Sequence, residues 1–307
     1  MQKTPMISRR GLLKTAAAAP LAAAASPLLA SAPMLGASTD NFRRVALGSF
    51  EVTTILGGSA VREDPKPIFA PNVSDEEFAA VSAAANLPTD KTRFYFTPVV
   101  VNTGDELVLF DTGLNAGGTT AALASAGYTP DQIDVVVLTH MHGDHIGGLM
   151  NDGSPTFANA RYVTNAREFD HWAASGNDGF EGNVRPLAEK MTMIDDGATV
   201  ASGITAMAAY GHTPGHTIFM IESDGKMMAI CADFANHPVW AIANPDWEIR
   251  FDSDKAQASA TRKSILGMLA SDGIPFSSYH MPFPAIGFIE ADGDGFRYAP
   301  HSYQLTL

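Results

Sequence analysis

The sequence predicts an α/β or α+β sandwich, in which sheets are covered by helices. Three observations carry this. Runs rich in β-forming residues, alternating or continuously apolar, recur at 45–56, 94–102, 106–110, 134–139, 156–163, 204–209, 217–222 and 226–232. Helical patterns lie among them at 75–85, 119–126, 165–174 and 254–271, the last opened by the cap candidate Ser253. Several strands join directly as hairpins, and Glu222-Ser223-Asp224-Gly225-Lys226 reads as a turn.

The chain of 307 residues is 46% hydrophobic and 17% charged, enough apolar material for a well-buried core and too much for disorder. No repeat or Gly/Ser linker divides it. Twenty basic residues stand against 33 acidic ones, a net charge of −13. The four charges before Asp40 are all basic (Lys3, Arg9, Arg10, Lys14), so the rest of the chain is more acidic still. Such a body repels phosphate backbones and anionic lipid, which argues against nucleic-acid binding. Cys231 is the only cysteine, so a disulfide within the chain and a Cys-rich zinc cage are excluded; it reads as a small buried hydrophobe.

The N-terminus reads as an export signal. Ser8-Arg9-Arg10-Gly11-Leu12-Leu13-Lys14 is followed by an uncharged, Ala/Leu-rich stretch at 15–32. The paired arginines resemble the twin-arginine type, with Leu12 in place of the usual Phe. Cleavage is expected after Ala32 or Ala37, with Pro33 disfavouring the first. Pro20 and Pro27 interrupt the segment, and alanine contributes little to bilayer insertion, so a stable membrane anchor is not expected. The expected organisation is a signal peptide at 1–37 and one domain at 38–307, in a bacterial periplasm.

The chemistry concentrates after the apolar run Val135-Val136-Val137-Leu138. There the chain reads Thr139-His140-Met141-His142-Gly143-Asp144-His145, four potential ligands within six residues. His140 and His142, two apart, point the same way on an extended chain. Gly143 permits a turn that aims Asp144 and His145 from another direction. Further candidates follow at His212 and His216 in the turn Tyr210-Gly211-His212-Thr213-Pro214-Gly215-His216, at Asp233 and at His280. Each lies at or just beyond an apolar strand, so one rim of the sheets can collect them. Imidazole and carboxylate without thiolate suit Zn, Mn, Fe or Co, and seven such groups suffice for two divalent ions.

The set His140-x-His142-x-Asp144-His145, then Gly211-His212, Asp233 and His280, resembles the metallo-β-lactamase superfamily over essentially the whole chain after the signal. The resemblance implies an αββα sandwich, two mixed sheets packed face to face with helices outside. It implies that His140, His142 and His212 hold one ion, that Asp144, His145 and His280 hold the other, and that Asp233 bridges. In similar proteins the ligand is the first of the two turn histidines. His212 precedes Asp233 by 21 residues and His216 by 17, so His212 is assigned to the metal and His216 to support behind it. Asp111, in Asp111-Thr112-Gly113, matches an early Asp that supports the metal loop. Two ions roughly 3.5–4 Å apart can share a hydroxide, with the pKa of water brought from 15.7 to about 7. Asp144 or Asp233 is the candidate proton shuttle.

Within the superfamily, the acidic composition argues against an RNA-processing nuclease. The carboxylate Asp233 argues against a β-lactamase, and the intact histidines argue against a flavo-diiron protein. Basic and tyrosine residues of the kind that bind glutathione are not evident near the C-terminus. His280-Met281-Pro282-Phe283-Pro284-Ala285 resembles the His-Leu-Pro-Phe-Pro-Gly stretch of the lactonase and methyl parathion hydrolase-like branch, as does 244–262 with Asp252-x-Asp254. Asn236 stands where quorum-quenching lactonases often place Tyr, which weakens an acyl-homoserine-lactone assignment and leaves lactone hydrolysis standing. The expected activity is opening of small apolar lactones or esters by a metal-bridging hydroxide, with phosphotriester hydrolysis as the rival. A non-catalytic metal-binding protein is a minor alternative. Phe234, Trp240, Phe283 and Phe288 flank the ligands and are the pocket candidates. The ligand-flanking segments carry almost no Lys or Arg, which argues against a strongly anionic substrate. A homodimer is expected by analogy alone.

Overall fold

The strand that leads into the first candidate ligands, Val135–Leu138, is apolar on both faces, because a second sheet covers it on one side and helices on the other. This is seen in a computed structural model, which describes residues 37–293 and 295–307. The predicted signal segment lies outside the described residues, apart from Ala37. Thr39–Leu307 form one compact unit. No helix among the described residues is long and apolar enough to cross a membrane.

The first sheet begins with a hairpin, β1 (Phe42–Leu47) and β2 (Phe50–Ile55). Gly48, at φ 58°, turns between them, so the predicted run 45–56 is two strands rather than one. A separate ribbon follows, β3 (Gly58–Glu63) paired with β4 (Lys91–Phe96), with α1 (Lys66–Phe69) and α2 (Asp75–Ala84) between its strands. The predicted strand 94–102 breaks at Thr97-Pro98, since proline offers no N–H to a ladder. The chain then re-enters the first sheet with β5 (Val99–Asn102), β6 (Leu107–Phe110) and β7 (Val135–Leu138), crossing over through α3 (Ala116–Ser125).

After β7 come the one-turn helix α4 (Gly143–Ile146) and a small hairpin, β8 (Met150–Asn151) with β9 (Ser154–Pro155). Next are β10 (Arg161–Asn165), α5 (Ala166–Ala173), α6 (Asp178–Asn183) and β11 (Met191–Ile194). The predicted strand 156–163 begins only at Arg161. The sheet order is β1-β2-β5-β6-β7-β10-β11.

The second sheet holds β12 (Thr199–Ala201), β13 (Ile204–Ala208), β14 (Thr217–Ser223), β15 (Lys226–Ile230), β16 (Phe276–Ser277), β17 (Ile286–Asp292) and β18 (Gly295–Pro300), in that order. Its one parallel pair, β15 with β16, is bridged by α7 (Lys255–Asp272). The cap of α7 is Asp254, which accepts from the Gln257 N–H at 2.9 Å, and not the expected Ser253.

Strand alternation sorts the core. Val99, Val101, Val108, Phe110, Val135 and Val137 face the second sheet, meeting Phe219, Ile221 and Met228. Val100, Leu109, Val136 and Leu138 face outward onto Leu123, Phe180 and Leu187. This is the expected αββα sandwich. β3 escaped sequence reading because Gly58-Ser59-Ala60-Val61-Arg62-Glu63 is small and charged rather than alternating.

Candidate metal centre and its cleft

Strand ends set out the ligand residues along one rim. His140 and His142 follow β7, and the extended backbone of His142 leads into α4, which carries Asp144 and His145. His212 lies in the turn between β13 and β14, Asp233 just beyond β15, and His280 just beyond β16. As their spacing predicts, His140 and His142 point together: His140 Nε2 and His142 Nδ1 are 3.1 Å apart. His212 Nε2 closes the group at 3.1 Å from His142 Nδ1. On the other side, His280 Nε2 lies 3.3 Å from Asp144 Oδ2 and 3.2 Å from Asp233 Oδ2. His145 Nε2 lies 3.4 Å from Asp233 Oδ1. Asp233 faces both groups, with Oδ2 also 3.5 Å from His212 Nε2. All seven candidates therefore converge.

The outward nitrogen of four of the five rings is held by the protein. His145 Nδ1 donates to Asp111 Oδ2 at 2.8 Å, and His212 Nδ1 donates to Asp252 Oδ1 at 2.8 Å. His280 Nδ1 donates to the Tyr95 carbonyl at 2.8 Å, and His140 Nδ1 lies 3.2 Å from Thr139 Oγ1. These partners leave the inward nitrogens to face one another, the arrangement that orients metal-binding imidazoles. Two inward atoms, His145 Nε2 and Asp233 Oδ1, are buried with no hydrogen-bond partner. Orphaned polar atoms of this kind cost about 1–3 kcal/mol each. A divalent cation between them would satisfy both, so the donor set fits such ions in number, chemistry and placement.

The electrostatics divide the cluster. Burial, reinforced by neighbouring histidines, holds His140 well below the usual imidazole range and His142 down to about 3. Burial opposes protonation of His145 and His280 too, but carboxylates prevail there. Asp233 and Asp111 raise His145 well above its ordinary value, and Asp233 and Asp144 raise His280 to about 9. Reciprocally, against their own burial, Asp144 is lowered to about 2 by His145 and His280, and His280 and His145 hold Asp233 well below the usual carboxylate range. Cation uptake would therefore release protons mainly from His145 and His280.

His216 lies behind this cluster. Its Nδ1 donates to the Ala209 carbonyl at 3.1 Å while its Nε2 accepts the Asp233 backbone N–H at 3.2 Å. Both nitrogens are thus committed, and burial lowers the ring to about 3. Asp111 also turns inward behind the ligands, with its backbone in the left-handed region at φ 60°. It accepts the Thr139 backbone and hydroxyl donors at 2.9 and 2.8 Å.

Four supporting residues were missed as such by sequence reading. Glu168 accepts from the Met141 N–H at 2.9 Å and from Trp172 Nε1 at 2.7 Å, and from the Thr213 hydroxyl and the Gly215 N–H at 2.8 Å each. It therefore ties the loop of His140 and His142 to the loop of His212. Asp252 links His212 to Arg262 Nη2 at 2.7 Å. Tyr279 donates to the Asp144 carbonyl at 2.6 Å and packs its ring 4.0 Å from that of His145. Asn236 donates to Asp233 Oδ2 at 2.9 Å. No local pattern marks Glu168 or Tyr279; their roles exist only once distant loops meet.

A cleft of about 360 Å³ opens over His142, Asp144, Asp233 and His280. Its walls are Phe94, Phe96, Leu114 and Phe251, and Arg62 lies at its edge. None of the four expected pocket aromatics lines it. Phe234 packs against Phe276 in the core, and Trp240 stacks on His237 at 3.9 Å beside Phe69 and Phe78. Phe288 lies near His301 on β17, beside a separate groove. Phe283 is half-buried and is not among the residues that line the cleft. Adjacency to a ligand in sequence does not place a side chain beside it, because the strands alternate and the loops after them turn back into the core.

The comparisons agree with this geometry. The chain is 24% identical over 140 residues to an N-acyl homoserine lactonase of Bacillus sp., a match covering 46% of this chain and 53% of that relative. The chain thus spans about half the length of that curated relative. The dizinc quorum-quenching lactonase AidC, solved with a product, superposes with a TM-score of 0.79 at 25% identity, covering 86% of this chain and 98% of AidC. The hydrolase AbOPH superposes with a TM-score of 0.80 at 22% identity, covering 87% and 100%, a likeness of fold. Residues 97–272 match the metallo-beta-lactamase superfamily. With the αββα sandwich and the converging His/Asp cluster, that match settles the family: this chain belongs to the metallo-beta-lactamase superfamily.

Proposed function

We propose that this protein is a periplasmic metal-dependent hydrolase that opens small lactones or esters with apolar bodies. One observation carries the reading: seven metal-binding donors converge on the floor of an apolar cleft. His140, His142 and His212 would hold one divalent ion and Asp144, His145 and His280 the other, with Asp233 shared between them; zinc heads the candidates, followed by Mn, Fe and Co. Bound there, such ions polarise an acyl or phosphoryl oxygen and make water nucleophilic near neutral pH.

The chain's own residues do the rest. Phe94, Phe96, Leu114 and Phe251 bury the apolar body and exclude bulk water. Asp144 is 22% exposed and Asp233 only 3%. Asp144 is thus the carboxylate open to the cleft and the one placed to pass a proton to the leaving oxygen. Asp233 is instead oriented from behind by Asn236, which donates to its Oδ2.

The test is kcat/KM of the metal-loaded mature protein on a lactone and a phosphotriester, side by side. A preference above about 10³ for the lactone, roughly 4 kcal/mol of transition-state stabilisation, upholds the reading. The reverse ratio would make phosphotriesters the selected substrates. No turnover of either would overturn the assignment of a hydrolase.

A further inference from the structure

The cleft lining contains one Arg or Lys side chain, Arg62, contributed by an element remote in sequence from every ligand. Its direction follows from the register of the β3–β4 ribbon, where Gly58 pairs with Phe96, Ala60 with Phe94 and Arg62 with Thr92. Residues two apart on a strand share a face. Arg62, Phe94 and Phe96 therefore belong to the same face of the ribbon, the face that walls the cleft. Arg93 belongs to the opposite face, where it donates to Ser59 Oγ at 3.1 Å. Arg62 takes no such partner, and no carboxylate within ion-pair distance, among the described residues. In a chain with 33 acidic residues against 20 basic ones, an exposed guanidinium at the edge of an apolar cleft is not a by-product of surplus positive charge.

The cleft thus has three chemically distinct zones: a His/Asp floor, an aromatic wall and a cationic edge. Resting on the reading of this cleft as an ester or lactone site, we propose that Arg62 selects substrates carrying a carboxylate at the end of the molecule remote from the scissile bond. The reacting carbonyl would lie over the floor, the hydrocarbon body against Phe94, Phe96, Leu114 and Phe251, and the remote carboxylate on the guanidinium. The planar fork matches a carboxylate with two parallel N–H donors, a fit that a lysine ammonium lacks. The substrate is therefore amphiphilic rather than uniformly apolar, and its charge is recognised away from the metal ligands.

Titration calorimetry of the metal-loaded protein with hexanoate and adipate isolates the remote group, since adipate adds a second carboxylate to a chain of equal length. The wild type should bind adipate about fivefold more tightly after the statistical factor of two, near the upper end for a partly solvated ion pair. That preference should shrink when salt rises from about 0.05 to 0.5 M. It should vanish in Arg62→Ala, reverse in Arg62→Glu and be partly retained in Arg62→Lys. The ratio of kcat/KM for mono-4-nitrophenyl adipate over 4-nitrophenyl hexanoate should follow the same series. Equal binding of the two acids by the wild type, or a preference that survives Arg62→Ala, overturns the assignment. Failure to turn over either ester counts against the hydrolase reading, while the titration still decides the role of Arg62.

Discussion

Glu168→Gln is the most informative single substitution outside the ligand set, because it barely changes volume and replaces one acceptor oxygen with a donor amide. An ionised carboxylate accepts hydrogen bonds and donates none. Glu168 is buried and receives four, from Met141 N–H, Trp172 Nε1, the Thr213 hydroxyl and Gly215 N–H. A glutamine keeps one acceptor oxygen and presents two N–H donors in place of the other. The least costly orientation puts the amide nitrogen toward Thr213, whose hydroxyl can turn round and accept. Gly215 N–H is then left facing a donor, an orphaned buried group worth about 1–3 kcal/mol. The bonds that remain lose their charge assistance, adding roughly 1 kcal/mol in sum. The expected loss is about 2–4 kcal/mol of folding stability, read as a lower urea midpoint at unchanged slope in chelated protein.

The second consequence separates a clamp from ordinary packing. Met141 lies between His140 and His142, while Thr213 and Gly215 follow His212, so the substitution loosens the relation between the two loops. Metal affinity, measured by competition with a chromophoric chelator, should fall about 10–100-fold, as for other groups that orient ligands. An unchanged urea midpoint together with wild-type metal affinity would refute the reasoning.

Asp233→Asn should lower metal content and activity together, because one carboxylate faces both donor groups; a fully metallated, active variant would disprove the shared role. His216→Ala should leave metal stoichiometry near two per chain by elemental analysis, since both ring nitrogens are engaged behind the cluster; loss of an ion would reverse the choice of His212. Burial holds His216 and His237 down to about 3. Their unfolded pKa of about 6.5 is higher, so the unfolded state binds the extra protons and stability falls as pH drops below about 6.5. From these two groups chelated protein should lose about 2.4 kcal/mol between pH 6 and 5, just under the ~2.7 kcal/mol limit for two full protons; a flat urea midpoint over that interval would contradict it.

Much of the site was legible along the chain. The four donors of 140–145 are local, and their spacing fixes which way they point once β7 ends. Asp233 and His280 could be placed at the rim because each follows an apolar strand, and strand ends of a common sheet meet there. Element boundaries were less legible where one residue overrides a β-forming run, as Gly48 does by turning and Pro98 does by lacking an N–H. The pocket candidates do not line the cleft for a different reason: Phe234 and Trp240 lie near ligands in sequence but face the core.

By itself, then, the sequence determined which His and Asp residues follow apolar strands and so reach one rim, because this depends on residue type and on periods of a few residues. Only the tertiary structure decided which side chains stand behind and above them. Glu168, Asp252 and Tyr279 act across 27 to 135 positions of chain. Phe94, Phe96 and Arg62 reach the cleft because β4 pairs with β3, a strand with no strong sequence pattern, in a ribbon beside it. Hydrogen bonding and burial act over a few ångströms of space, and a chain folded into two stacked sheets makes spatial neighbours of residues whose sequence separation carries no trace of it.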